Sequence, residues 1–541
     1  MWKHDLLKSL FAALLLCAAL FCSAGTVKLT VIQTTDIHAQ TDGRRTPGIA
    51  RLASVIKAER TAAGGRDHVL LIDCGDLFQG SYQATLDHGG SLVHYLNLLS
   101  YDAFIPGNHD FDFGTSELVK HLNGIQAAVL ALNLNLKGTP PGRILKWKMF
   151  EKNTLKIAVA GMTSPYLFSW LSGIQTAGLE LTDYQEALAE IIPEIMEAKP
   201  DIVILAMHSG EFMPARLGSS GGKKRMSAGA FLRKYPQIDL VLGGHSHQEG
   251  AGKQVASSWY IQAPALSGGA AVAEILYDKK KRRIVSLKSR IAYAADAEPD
   301  AETAEMLAPL LEQSRRKGTR RVARMAFPLE PLKKSGAGNR LSRIFGRAMM
   351  RETGAEIALH GTLSSYRASP GILYASQVYL LAPYENLLCT LEISPAECRA
   401  IIEEQYAEKR SGSFQAVTGV SFKMGKGGKI RGGLFLDGET EEWNDGARPV
   451  KLVLSGYTLA GAGGRFPVLK AIGEKKKVDF LSLDVRSALE KYLAAEYPCS
   501  QTWKPEKRRL KDVENFYDID ISGTVLRMQQ RTLRIKPTVK K

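Results

Sequence analysis

Residues 27–38 read VKLTVIQTTDIH, an apolar run that ends abruptly in Asp36-Ile37-His38. Val27, Val31 and Ile32 suit an extended chain, and the run is too short for a typical helix. The same grammar recurs four times. Val69–Ile72 leads into Asp73, Asp76 and Gln79, and Ala103–Ile105 leads into Asn108, His109 and Asp110. Ile202–Met207 leads into His208, and Ile238–Leu242 leads into Gly243-Gly244-His245-Ser246-His247. Ala127–Leu134 and Ile157–Ala160 read as further strands. Ile49, Leu52, Val55 and Ile56 recur at helical spacing, and a second helical stretch runs from Tyr184 to Ala198. Alternating strands and helices predict a layered α/β domain with a buried sheet. In such sheets the loops after the strands converge on one crevice, so these strand ends bring His, Asp and Asn to one place. Core packing does not require that.

Composition fits this picture. The chain has 541 residues, 45% hydrophobic and 23% charged, which excludes a disordered or collagen-like chain. A net charge of +16 favours anionic partners. The basic clusters Lys279–Arg283, Arg315–Arg321 and Lys507–Lys511 lack interleaved aromatics, so they read as solvated surface and nucleic acid is not an expected partner. Lys3 and Lys8 precede an apolar run, Leu10–Phe21, that is followed by Ser23-Ala24-Gly25. That is the grammar of a signal peptide over residues 1–24, and the run is shorter than the ~20 residues of a spanning helix. The expected location is therefore periplasmic or extracellular, with no transmembrane segment in the mature chain. Bulky Phe21 argues against lipidation at Cys22. Of the cysteines that remain, Cys74 reads as a small buried filler, and pairing among Cys389, Cys398 and Cys499 is left open.

Residues 25–295 form the expected catalytic domain and 296–325 a linker helix. Residues 326–541 form a second α/β domain, with helix-like Leu341–Thr353 and Pro395–Gln405 and strand-like Ala355–Leu359, Gln377–Leu381 and Val450–Gly456. The mixed His, Asp and Asn set suits Zn, Mn, Fe or Co better than Mg or Ca. Two adjacent divalent ions need a carboxylate to bridge them.

The ordered motifs Asp36-Ile37-His38, Gly75-Asp76-Leu77-Phe78-Gln79-Gly80, Gly107-Asn108-His109-Asp110-Phe111-Asp112, His208-Ser209-Gly210 and Gly243-Gly244-His245-Ser246-His247 resemble those of the calcineurin-like metallophosphoesterases. The extensions Gln79-Gly80 and Phe111-Asp112 narrow the resemblance to the 5′-nucleotidase branch, with its UDP-sugar hydrolases and 2′,3′-cyclic-nucleotide phosphodiesterases. The resemblance implies a layered β-sandwich flanked by helices, joined to a second α/β domain that binds substrate. It implies that Asp36, His38 and His247 hold one divalent metal, that Asn108, His208 and His245 hold another, and that Asp76 bridges them. His109 would assist the leaving alcohol, with Asp110 orienting it.

In the second domain the resemblance assigns base stacking to Tyr384 and Tyr457, a base hydrogen bond to Asn386, the substrate phosphate to Arg367, and a close backbone approach to Gly419. One position departs from the family pattern: Arg465 stands where an Asp usually follows the double glycine, pointing either into the site or into solvent. The implied activity is hydrolysis of nucleoside phosphates by a metal-bound hydroxide in an exported, monomeric enzyme. Cyclic-nucleotide phosphodiesterase, UDP-sugar hydrolase and a catalytically idle ligand-binding protein of the same fold are the alternatives.

Overall fold

The computed structural model describes residues 25–43, 46–214, 225–331, 339–407, 415–425 and 427–500. The expected signal peptide and residues 501–541 of the second domain lie outside them. No helix among the described residues is long and apolar enough to cross a membrane.

As the resemblance implies, the N-terminal half is a sandwich of two large sheets. In the first, Thr26–Thr34, Val69–Asp73, Ala103–Phe104, Ala128–Leu130 and Ile144–Leu145 run parallel, and Gly269–Asp278 pairs antiparallel with Thr26–Thr34. In the second, Leu155–Met162, Ile202–Met207, Leu240–Leu242 and Ser258–Gln262 run parallel. Alternate side chains sort the layers. Leu29, Val31, Leu70 and Ile72 meet Ile157, Val159, Ile202 and Ile204 between the sheets. From the opposite faces, Ile32 and Leu71 pack under the helix Gly48–Ala62, while Val203 and Leu205 pack under Tyr184–Glu197. The central parallel strands are thus buried on both faces, which is why their runs in the sequence are continuous rather than alternating.

The helix Ala301–Gly318 leads to the strand Arg321–Met325 and to a separate five-stranded sheet. Helices Arg340–Thr353 and Val485–Glu496 cover one of its faces, and Pro395–Ala407 and Pro467–Gly473 cover the other. Three expectations change. Gln377–Leu381 belongs to the helix Ala375–Leu381, because its apolar residues bury around one helix instead of entering the sheet. Ala127–Leu134 splits into the strands Ala128–Leu130 and Leu134–Leu136. The expected linker helix ends at Gly318, and a strand occupies Arg321–Met325. Cys74, Cys389 and Cys398 are buried and, like Cys499, free.

Candidate metal and catalytic site

The strand-end residues do meet. Asp36, His38 and His247 place one ligand-type atom each within 4.8 Å of one another, and so do Asp76, His208 and His245. The two groups adjoin: His38 Nε2 lies 3.0 Å from His247 Nε2 and 3.8 Å from Asp76 Oδ2, and His208 Nε2 lies 3.1 Å from that same oxygen. Tight backbone makes this possible. Asp36, His38, Asp76, His245 and His247 all have positive φ, between 51° and 67°. Such conformations cost L-residues energy and cluster at functional sites. Gly107 is held to glycine by the same crowding, since an added Cβ would lie 2.3 Å from Asp76 Oδ1.

The donor set fits divalent cations. His38 Nδ1–H donates to Gln79 O (3.0 Å) and His208 Nδ1–H to Cys74 O (2.6 Å). Once deprotonated, an imidazole held that way turns its Nε2 lone pair inward, as metal-ligating histidines do. Asn108 Oδ1 is buried without a hydrogen-bond partner, and His208 Nε2 faces only Asp76 Oδ2. Two imidazole nitrogens 3.0 Å apart, at His38 and His247, need a shared proton or a shared cation. Burial alone opposes ionisation of both carboxylates. The neighbouring His208 nonetheless holds Asp76 well below the usual carboxylate range, and His247 helps bring Asp36 down to about 2.

Asp110 does not orient His109. Its carboxylate is buried and accepts backbone N–H bonds from Asp76 (3.0 Å), Leu77 (2.8 Å), Phe78 (3.0 Å) and Gly107 (2.7 Å), tying the second and third strand-end loops together. His109 Nδ1–H donates instead to Asp112 Oδ2 at 2.8 Å. The reason is local. Residues His109–Phe111 form a 3₁₀ turn, in which positions i and i+3 eclipse while i+1 points elsewhere. Burial lowers the His109 pKa, but the Asp112 and Asp76 carboxylates outweigh it and push it up to about 9. Position 112 was within the quoted motif, and the i+3 spacing was the available signal.

Above these groups opens a cavity of about 430 Å³ shared by both halves of the chain. Tyr384, Asn386 and Tyr457 line it, and Tyr384 lies nearly parallel to His109 with ring centres 6.3 Å apart. The Tyr384 loop is held from two sides. Gln79 Nε2 donates to Pro383 O (3.0 Å), while Arg486 donates to Ala382 O (3.1 Å) and to the Glu385 carboxylate.

Two expected substrate residues lie elsewhere. Arg367 is exposed and pairs with Glu330 at 2.8 Å, outside the cavity lining. Gly419 makes a close approach, but to the chain's own backbone: an added Cβ would stand 2.0 Å from Glu356 O. Arg465 does face the cavity. Trp170, which the sequence did not single out, also lines it and stacks on His245 with centres 4.7 Å apart.

The model of the calcineurin-like phosphoesterase family matches residues 29–249, the stretch that supplies both groups. This chain carries a calcineurin-like phosphoesterase domain. Snake venom 5′-nucleotidase from Gloydius brevicauda is 30% identical over 260 residues, covering 44% of this chain and 40% of that protein. The 2′,3′-cyclic-nucleotide 2′-phosphodiesterase/3′-nucleotidase of Yersinia enterocolitica is 28% identical over 276 residues, 46% of this chain and 40% of that one. The chain thus matches about two-fifths of the length of these curated relatives. A 5′-nucleotidase precursor from Thermus thermophilus shares the fold across both halves, with a TM-score of 0.61 at 19% identity over 88% of this chain and 98% of that one. The phosphoesterase domain therefore sits in a two-domain α/β architecture.

Proposed function

We propose that the chain is an exported dinuclear-metal phosphoesterase that hydrolyses nucleoside phosphates. The observation that carries this reading is one cavity running from the two histidine–carboxylate groups to Tyr384, Asn386 and Tyr457. Asp36, His38 and His247 would hold one ion and Asn108, His208 and His245 the other, with Asp76 shared. When bound, such a pair supplies Lewis acidity at the phosphoryl oxygens and an ionised water at neutral pH. His109 lines the cavity with its Nδ1 committed to Asp112, which leaves Nε2 to give a proton to the departing alcohol oxygen. Asp112 and Asp76 favour the imidazolium that this step needs. Tyr384 and Tyr457 offer ring faces to a base, and Asn386 offers an amide to its edge. The basic start and apolar run of residues 1–24 support action outside the cytoplasm.

The test is turnover by manganese- or zinc-loaded protein of AMP, UDP-glucose, 2′,3′-cyclic AMP and a bis-aryl phosphate, each with an EDTA control. Phosphate release from AMP that EDTA and Asp76→Ala both abolish is the expected result. Protein that binds two metal ions per chain yet cleaves none of the panel would overturn the reading in favour of an idle binding protein.

A further inference from the structure

The turn that carries Arg465 has an uncommon backbone. Gly461, Ala462, Gly463 and Gly464 have φ of 95°, 50°, 73° and 84° in succession. Glycine enters that region freely, whereas Ala462 does so against steric resistance. The resulting curl lets Arg465 N–H donate to Gly461 O (2.8 Å) and its Nε–H donate to Ala462 O (2.5 Å). The turn is also pinned by the other half of the molecule. Gly463 N–H donates to Ser169 O at 2.8 Å, and an added Cβ on Gly463 would stand 2.6 Å from Trp170 Nε1. Held this way, the half-buried guanidinium faces the cavity, sits 5.8 Å from the Tyr457 ring centre and donates to the Tyr457 hydroxyl.

The charges along the cavity are unequal. Asp76 and Asp112 lie among the histidines and the Glu385 carboxylate is tied to Arg486, whereas Arg465 is the one Lys or Arg among the described lining residues. A guanidinium keeps its charge at any pH the fold survives and can only donate. Two of its acceptors, Ala462 O and the Tyr457 hydroxyl, are neutral, and an anionic acceptor in the place of either would form a shorter and stronger bond with the same fork. The geometry points to a second anion subsite: Arg465 receives a phosphate or carboxylate that the substrate carries apart from the phosphate being cleaved. The preferred substrates are then nucleotides with two separated anionic groups. This rests on the phosphoesterase reading above and extends it to a substrate class.

The experiment compares kcat/KM for AMP with that for adenosine 2′,5′- and 3′,5′-bisphosphate, using metal-loaded wild type, Arg465→Gln and Arg465→Lys. The ratio of the better bisphosphate to AMP is taken within each variant, so that any general loss of activity cancels. Wild type is expected to favour a bisphosphate. Arg465→Gln should cut the ratio by about ten- to hundredfold, the range for one charge-assisted contact. Arg465→Lys should fall between, since it keeps the charge and loses the fork. Equilibrium binding of the same three nucleotides to EDTA-treated protein gives a readout that does not depend on turnover, and the same order is expected there. Ratios that ignore residue 465 in both measurements overturn the subsite while leaving the phosphoesterase reading intact. Wild type that binds the bisphosphates in an Arg465-dependent way but releases no phosphate from any nucleotide overturns that reading and supports the subsite.

Discussion

Asp110 separates a structural from a catalytic role for the carboxylates of the Asn108–Asp112 segment, and Asp110→Asn tests the separation. Its Oδ1 accepts from Leu77 N and Phe78 N, and its Oδ2 accepts from Asp76 N and Gly107 N. In asparagine one of these oxygens becomes an NH₂ group, which cannot accept. Whichever way the amide turns, two buried backbone N–H groups then face a donor. Each lost bond to a charged acceptor is worth roughly 1.5–3 kcal/mol, so the expected loss is about 3–6 kcal/mol. For a unit of this size that is a fall in Tm on the order of 10 °C or more. The assay is thermal unfolding followed by far-ultraviolet circular dichroism, with bound metal measured on the same samples. Because the loops holding Asp76 and Asn108 would part, metal content should fall together with stability. A variant within about 0.5 kcal/mol of wild type that binds metal normally would refute this role. It would also return Asp110 to the side of His109.

Asp112→Asn should do the opposite, keeping near-normal stability and metal content while kcat falls by up to about 10²–10⁴-fold. That loss should shrink for a nitrophenol leaving group, which needs little protonation; a uniform loss across leaving groups would point to substrate binding instead. Lys152 and Asp102 form a largely buried pair at 2.8 Å. Lys152→Ala leaves the carboxylate without its cation and should cost about 3–5 kcal/mol in urea unfolding; a change under 1 kcal/mol would show that solvent reaches Asp102. Burial pushes the Asp239 carboxyl up to about 6, against the bond it accepts from Val203 N. A folded pKa above the unfolded value means that its contribution is full at low pH and is lost as pH rises from about 4 through 6. Asp239→Asn keeps an acceptor for Val203 and should remove that loss, raising stability at pH 7 by about 1–3 kcal/mol while leaving pH 4 unchanged. Parallel stability–pH curves for the two proteins would refute it.

The N-terminal half was legible because its chemistry is punctuated by strand ends. Asp36, His38, Asp76, Asn108, His208, His245 and His247 each follow a short apolar run, and parallel strands leave no choice but to bring such ends to one edge. What the runs could not reveal was the number of sheets. Leu70 faces the inter-sheet core and Leu71 the helices, yet both read simply as apolar. Nor could order along the chain choose between neighbouring carboxylates. Asp110 stands next to His109 in sequence, but the 3₁₀ turn brings Asp112 under the imidazole instead.

The second half was less legible for a related reason. Its expected binding residues lie on loops, where orientation depends on distant partners that no local pattern encodes. Glu330 draws Arg367 away from the cavity, and the backbone at Glu356 claims the space beside Gly419. The pinning of Gly463 by Ser169 turns Arg465 toward the cavity. The sequence by itself determined the layered fold and the set of potential metal ligands, because periodicity and strand-end position are local properties. Which carboxylate serves His109 was settled by the geometry of one 3₁₀ turn, whereas which cation faces the cavity only the tertiary structure decided, because the turn that carries Arg465 is pinned by Ser169, a residue distant in the chain.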